Sequence, residues 1–351
     1  MHIPTHRTAS PRARPAGVPG FGQVLTDHLF RAEWTPESGW HEPRVEPYGP
    51  LALDPAAAAL HYGQTAFEGL KAFRGPDGAA RLFRPREHAR RMARTAERLC
   101  MPAPSEELFV EAVKALVRAD ATWFPDAPGT SLYLRPLLFA NEPFLGVRPA
   151  RRYLFLVMAS PVGGYFGPDA RPLRLWVERR WSRAAPGGLG AAKTAGNYAA
   201  SLLAAEEAKA RGFDQVLWTD AMSHRLVEEV GTMNLFARLG STVVTPPLAD
   251  TLLAGVTRDA VLALLRSDGA AVEERPLALD ELAAAARAGS LAEVFGTGTA
   301  AVVAPVGELA WEGGGLRLPD AADGLGARLR ARIQAVQRGE APDALGWMEP
   351  V

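Results

Sequence analysis

The chain has 351 residues, 48% of them hydrophobic and 22% charged, a length that implies two domains and a core large enough to enclose a site. Lysine plus arginine (39) equals aspartate plus glutamate (39), and a net charge of zero argues against a nucleic-acid groove or a membrane-surface binder, both of which need excess positive charge. The single cysteine excludes an intrachain disulfide and fits the cytoplasm, and seven dispersed histidines, with no pair at helical spacing near a carboxylate, predict no metal site. The longest apolar run, Tyr153 to Phe166, is broken by Ser160-Pro161 and Gly163-Gly164, so no membrane span is expected.

The first 20 residues carry Arg7, Arg12 and Arg14 without an apolar stretch, and read as a disordered tail rather than a secretory signal. Residues 21–162 read as a small α/β domain. Leu70 to Arg74 and Arg81 to Arg84 are predicted strands joined by the turn Gly75-Pro76-Asp77-Gly78. A basic helix follows from Pro85 to Leu99, then Cys100 as a buried apolar residue. Ser105 is the expected N-cap of a second helix, with Phe109, Ala112, Val113, Leu116 and Val117 as its apolar stripe. Strands Ser131 to Ala140 and Arg151 to Ala159 come next. Turn formers cluster at 163–175, the expected linker, and 176–351 reads as a larger domain. Its predicted elements are helices Asn197 to Ala210, Thr257 to Ser267, Leu279 to Ala288 and Ala322 to Arg338. They alternate with strands Gln215 to Thr219, Thr232 to Arg238, Ala271 to Arg275, Leu291 to Phe295 and Ala300 to Val306.

Only four of the basic residues are lysines: Lys71, Lys114, Lys193 and Lys209. A lysine that forms a Schiff base must be desolvated, and it needs small neighbours that leave room for a cofactor. Lys114 falls on the polar side of a helix near Glu111 and Arg118. Lys209 lies near Glu206 at a helix C-terminus, where a cation meets the dipole favourably. Lys71, between Glu68 and Arg74, reads as an exposed strand residue. Lys193 differs, because the stretch Gly187 to Tyr198 around it holds no acid and little side-chain bulk. Gly187 to Thr194 also nearly matches the phosphate loop G-x-x-x-x-G-K-[ST], with Val216 to Asp220 as its strand. Ala192 stands where that loop needs glycine, and no apolar strand feeds it, which makes a nucleotide hydrolase the remote alternative.

Lys193 with Gly196-Asn197-Tyr198, Asp214 to Trp218, and Val227-Glu228-Glu229-Val230-Gly231-Thr232-Met233-Asn234 resemble the signature of class IV aminotransferases of the branched-chain amino acid type. Upstream, Gly22 to His28, His61-Tyr62, Phe67-Glu68-Gly69, Leu82 to Pro85, Tyr133 to Pro136 and Asn141-Glu142-Pro143 carry the same likeness. The blocks cover the chain from about Phe21 to about Arg338. The resemblance implies a two-domain α/β enzyme of fold type IV, an α+β arrangement with a barrel-like core in the larger domain and the cofactor at the domain interface.

By that resemblance the cofactor is pyridoxal 5'-phosphate, carried on Lys193, which also moves the substrate Cα proton. Glu229 keeps the pyridine nitrogen protonated, and alternation sends it and Glu228 to opposite faces, leaving Glu228 a solvated strand glutamate. Tyr198 bonds the phenolic oxygen. Arg91, the Val256-Thr257 helix start and Thr299 hold the phosphate, while the Thr299 and Ala300 amides take the substrate α-carboxylate. Tyr62, Phe67, Tyr133 and Tyr165 form an apolar pocket for the side chains of Leu, Ile or Val. Arg135, two residues after Tyr133 on one strand face, receives the second carboxylate of 2-oxoglutarate or glutamate. Leu145 and Val147 correspond to a loop that enters the other subunit's pocket, which implies a homodimer. Leu25 replaces a pocket phenylalanine of some relatives, and Ala301 and Ala304 replace a CxxC pair, excluding a thiol switch there. A D-amino acid aminotransferase or an aminodeoxychorismate lyase would keep Lys193 and Glu229 without the Tyr133-x-Arg135 arrangement.

Overall fold

The computed structural model describes residues 1–163, 171–319 and 321–351. They divide into two compact units. The first takes the described residues of 1–167 with Ala192–Ala195 and Ala335–Val351; the second takes those of 168–191 and 196–334. The stretch containing Lys193 and the C-terminal residues therefore pack with the N-terminal unit, although both lie within the 176–351 of the expected larger domain.

In the first unit, β1 (His28–Thr35), β2 (Gly39–Pro47), β3 (Thr65–Phe67), β4 (Leu70–Arg74), β5 (Ala80–Phe83), β6 (Ser131–Ala140), β7 (Tyr153–Val162) and the chain's last strand, β17 (Met348–Pro350), form one sheet. Its order is β17-β5-β4-β6-β7-β1-β2, with β3 also on β6. Helices α1 (Ala58–Tyr62), α2 (Pro85–Arg98) and α3 (Glu106–Ala119) complete the unit. The β4–β5 turn falls where its residues require it: Gly78 takes φ +76° and donates its N–H to the Gly75 carbonyl at 2.9 Å. Ser105 caps α3, its hydroxyl accepting from Leu108 N–H at 3.1 Å. Leu70, Ala72, Leu132 and Leu134 join Met92 of α2 and Phe109 and Leu116 of α3 in one buried cluster, each large side chain contributing about 1.5–3 kcal/mol by leaving water.

Two expectations for this unit are corrected. The N-terminal residues are not loose: Thr5 bridges Val45, and the Val45 backbone bonds both His6 N–H (2.8 Å) and Pro4 C=O (2.9 Å). The reason is that β2 ends the sheet, and an edge strand offers unpaired backbone groups to any extended segment. Cys100 is exposed. It takes φ +53° after α2, and the Met101 N–H bonds Ala96 C=O at 2.8 Å, so a left-handed helix stop turns Cys100 outward while Met101 becomes buried.

The second unit contains, in chain order, β8 (Leu173–Val177), α4 (Ala195–Ala210, from its second residue), β9 (Gln215–Thr219), β10 (Val227–Val230), β11 (Met233–Leu239), β12 (Thr242–Thr245), α5 (Val256–Ser267), β13 (Val272–Glu274), α6 (Leu279–Arg287), β14 (Leu291–Gly298), β15 (Val302–Trp311), β16 (Gly314–Arg317) and α7 (Leu325–Gln337). The pairing β10-β9-β8-β15-β14-β11 returns to β10, closing a six-stranded barrel, and β12, β13 and β16 extend it. The barrel-like core expected from the resemblance is present, and closure removes the edges those six strands would otherwise expose. Phe236 and Phe295, paired across β11 and β14, stack at 5.3 Å, tilted by 8°. β8 begins inside the expected 163–175 linker. Leu173, Leu175 and Val177 alternate inward, a pattern five residues long that the neighbouring glycines and prolines obscure.

Candidate active site

Lys193 is fixed by its backbone before its side chain does anything. Its N–H donates to Thr95 Oγ1 at 3.0 Å, its carbonyl accepts from Phe67 N–H at 3.1 Å, and Thr194 Oγ1 donates to Thr65 C=O at 2.8 Å. Thr194 also bridges Ala66. The chain is thus held against β3 and α2, and the Lys193 amine stands 4.9 Å from the centre of the Phe67 ring. Burial of the amine, with the neighbouring positive charge of Arg91 and Arg135, lowers its pKa to about 8, against the pull of Glu68 and Tyr133 in the other direction.

His88, Arg91 and Thr95 share one face of α2 by their three- and four-residue spacing, and all three are buried. Glu68, fully buried just after β3, meets this face. Arg91 Nε and Nη2 donate to its two oxygens, each at 2.7 Å, and His88 Nδ1 lies 2.8 Å from Oε2. Burial alone would raise the Glu68 pKa; the Arg91 charge and hydrogen bonds, with His88, outweigh it and hold the carboxyl well below its ordinary value. Desolvation keeps His88 below its usual pKa.

Across β6, Arg135 Nη2 donates to Tyr133 Oη at 2.9 Å, and its guanidinium lies 4.8 Å from the centre of Phe67. The i, i+2 pair therefore shares a face, and Phe67 is flanked by Arg135 and Lys193. Gly69 is dictated by this arrangement, because a Cβ there would sit 2.1 Å from Tyr133 Oη. Lys71 corrects the reading of an exposed strand residue: it is only 8% exposed, since β4 runs inside the sheet rather than along its edge. Tyr62 and Leu145 come together through a hydrogen bond from the tyrosine hydroxyl to the leucine carbonyl. Tyr62, Leu145 and Val147 are all exposed, Val147 by 85%. Tyr165 lies outside the described residues.

In the second unit, Glu229 on β10 is buried. It accepts from Asn234 Nδ2 at 3.0 Å and Leu253 N–H at 3.3 Å and pairs with Arg183 Nη2 at 2.7 Å. Asn234 also donates to Leu253 C=O at 2.9 Å. A Cβ on Gly255 would lie 2.0 Å from Asn234 Oδ1, so the glycine before α5 is required by the asparagine that holds the glutamate. Thr297 lies directly across from Asn234 on β14, and its buried hydroxyl has no hydrogen-bond partner among the described residues. Val256 and Thr257 form the buried start of α5. Thr299 and Ala300 form the turn between β14 and β15, followed by Val302 at φ +62°, a strained conformation for a β-branched residue. Tyr198 lies in the first turn of α4, half-buried. Glu228 is not a solvated glutamate: it is 7% exposed, and desolvation raises its pKa. Both faces of β10 are covered, so alternation does not bring either side chain into water.

Arg183, Asn234, Glu68, His88 and Thr95 were not singled out from the sequence. The polar i, i+3, i+7 spacing of His88, Arg91 and Thr95 was the available signal. Asn234 closes the block that carries Glu229, five residues away, though it was given no role of its own; Arg183 acts through a partner distant along the chain and left no signal.

The model of the amino-transferase class IV family matches residues 65–309. A Bacillus subtilis protein named branched-chain-amino-acid aminotransferase 2 is 45% identical over 345 residues, covering 98% of this chain and 95% of the relative. The crystal structure of the Escherichia coli branched-chain amino acid aminotransferase superposes with a TM-score of 0.75 at 27% identity, covering 92% of this chain and 98% of that one. The T.th. branched-chain amino acid aminotransferase, solved with pyridoxamine 5'-phosphate, gives a TM-score of 0.72 at 29% identity and covers 91% and 97%. By these matches the chain belongs to the class IV aminotransferase family.

Proposed function

We propose that the chain transfers the amino group of L-leucine, L-isoleucine or L-valine to 2-oxoglutarate, giving branched 2-oxo acids and L-glutamate, with pyridoxal 5'-phosphate as cofactor. One observation carries this reading: a lysine clamped by its backbone holds a desolvated amine over Phe67, beside the Tyr133–Arg135 pair. The printed names of the Bacillus and Escherichia relatives support the branched-chain substrate class, and the T.th. structure supports the cofactor.

The residues suit that cofactor. Lys193 offers an amine that sheds its proton near pH 8, Glu229 a buried carboxylate with an arginine partner, and Thr297 a buried hydroxyl with no hydrogen-bond partner among the described residues. When bound, pyridoxal 5'-phosphate supplies an electron sink that acidifies the substrate Cα–H. Lys193 would carry the cofactor, and its Nζ would move the proton between the substrate Cα and the cofactor C4'. Glu229, held by Arg183, would accept the hydrogen bond from the protonated ring nitrogen. Tyr198 would donate a hydrogen bond from its hydroxyl to the phenolic oxygen. Arg91, the Val256 and Thr257 amides at the start of α5, and Thr299 would bind the phosphate. The Thr299 and Ala300 amides would bind the substrate α-carboxylate.

Tyr62, Phe67, Tyr133 and Tyr165 would bury the aliphatic side chain, and Arg135 would meet the distal carboxylate. The exposure of Leu145 and Val147 favours a loop that enters the partner's pocket in a cytoplasmic homodimer. The Tyr133–Arg135 bond favours this activity over a D-amino acid aminotransferase or aminodeoxychorismate lyase. Half-reactions followed by absorbance test it: L-leucine and L-glutamate should each convert the cofactor-loaded protein, and D-alanine should not. Conversion by D-alanine alone would replace the proposal.

A further inference from the structure

Residues 4–21 run as a strap over the first unit, fastened along their length. Pro4 and His6 bond the Val45 backbone on β2. Thr8 N–H donates to His28 Nε2 at 2.9 Å, while His28 Nδ1 lies 2.6 Å from Asp120 Oδ1, so this buried ring offers an acceptor to the strap and a donor to the acid. Arg7 donates to Ala119 C=O at the end of α3 (3.2 Å) and Arg14 to Thr122 C=O just beyond it (2.6 Å), where a helix leaves carbonyls unpaired and favours a cation. Arg12 reaches the Leu25 and Thr26 carbonyls at 3.3 and 3.1 Å, and its backbone N–H bonds Asp27 Oδ1 at 2.9 Å. The arginines of the basic N-terminal stretch are thus hooks onto backbone oxygens.

The strap ends at Phe21, whose ring meets that of Tyr133 edge-on, with 4.7 Å between centroids and 63° between planes. Phe21 is 46% exposed and Tyr133 only 9%, so the strap sets a surface residue against a pocket residue. At its other end the Tyr133 side chain is fixed from within the sheet: its hydroxyl accepts from Arg135 and fits because residue 69 has no Cβ. We infer that Phe21 is a positioning residue for substrate binding, held by the strap against Tyr133, which in turn sets the Arg135 guanidinium and one wall of the pocket. The inference rests on the aminotransferase reading above and extends it to a segment that reading does not use. Proton transfer at Lys193 does not pass through this contact. The strap therefore governs how tightly a substrate is held, aliphatic and acidic alike, and not the rate of the chemical step.

The test measures both half-reactions on full-length holoenzyme of wild type, Phe21→Ala, Phe21→Tyr, Arg12→Ala and the double variant of Phe21→Ala with Arg12→Ala. Wild type must react with both L-leucine and L-glutamate; if it does not, the aminotransferase reading itself fails, independently of Phe21. Given that, Phe21→Ala should raise KM for both substrates about 2- to 10-fold, the range of an aromatic pair, with kcat changed less than about twofold. Phe21→Tyr keeps the ring and should restore both constants. Arg12→Ala should raise KM in the same way, and the double variant should be no worse than Phe21→Ala, because the two residues act as one linkage. A strap that only stabilised the fold would lower the unfolding midpoint on loss of Phe21 and leave KM as it was. Unchanged KM in Phe21→Ala, a rise that Phe21→Tyr does not reverse, or additive losses in the double variant would overturn the inference. If Phe21→Ala fails to fold, Phe21→Leu decides it by the same split between KM and kcat.

Discussion

Arg91 grips Glu68 at two points, Nε to Oε1 and Nη2 to Oε2, each at 2.7 Å, with both side chains buried. This pair fixes the arginine that the family resemblance assigns to the phosphate, and it places a negative charge near the Lys193 amine, where it raises that amine's pKa against the effect of burial. Glu68→Gln should therefore cost about 3–5 kcal/mol, the penalty for leaving a buried charge without its partner. Denaturant unfolding measures it; a cost below about 1 kcal/mol would mean that the pair is solvated. The pH dependence has a definite sign. The folded Glu68 pKa lies below its unfolded value, so the stabilisation is present above the unfolded pKa and is lost as pH falls toward the folded one. The variant should lack that acid limb.

Lys193 has its pKa lowered to about 8, and only the neutral amine is a nucleophile. Uptake of pyridoxal 5'-phosphate by the apoprotein should accelerate roughly tenfold per pH unit below that value and level off above it, as the neutral fraction does. Stopped-flow absorbance reads this directly. A break near the ordinary lysine value would show that the amine is solvated.

Asn234 holds Glu229, and Gly255 leaves room for Asn234. Asn234→Ala should weaken Glu229's hold on the ring nitrogen by about 1–3 kcal/mol, the cost of losing a buried hydrogen bond to a charged group. Gly255→Ala should produce the same shift in cofactor absorbance by displacing Asn234. A normal spectrum in both variants would show that Asn234 does not position Glu229.

Arg135→Ala should lower kcat/KM for glutamate and 2-oxoglutarate by about 10- to 100-fold more than for leucine, since only the dicarboxylate offers the guanidinium a charged partner. A substrate panel on each half-reaction checks it. Equal losses would make Arg135 a structural partner of Tyr133.

β4, β6 and β9 fall on the residues where the sequence predicts them, because turn formers bound each one closely: Gly69 and Gly75 around β4, Gly129 and Asn141 around β6, Asp214 and Asp220 around β9. β1 and β2 left no such signal. Arg31 and Glu33 on β1, and Arg44 and Glu46 on β2, form ion pairs along their strands at 2.8 Å, so charged residues interrupt both apolar patterns. Lys193 was legible because its neighbourhood is small and acid-free. Lys71 and Glu228 were misread for a common reason: burial of a charged side chain depends on what packs over its strand, which neighbours in sequence do not report. The Arg183–Glu229 contact joins the loop after β8 to β10 and is visible only in the fold.

Which lysine carries the cofactor decides the assignment of this site. Borohydride reduction of the yellow holoenzyme followed by peptide mapping answers it: the pyridoxyl adduct should appear on the peptide containing Lys193. An adduct on Lys71, or a protein that takes up no pyridoxal 5'-phosphate, would contradict the account.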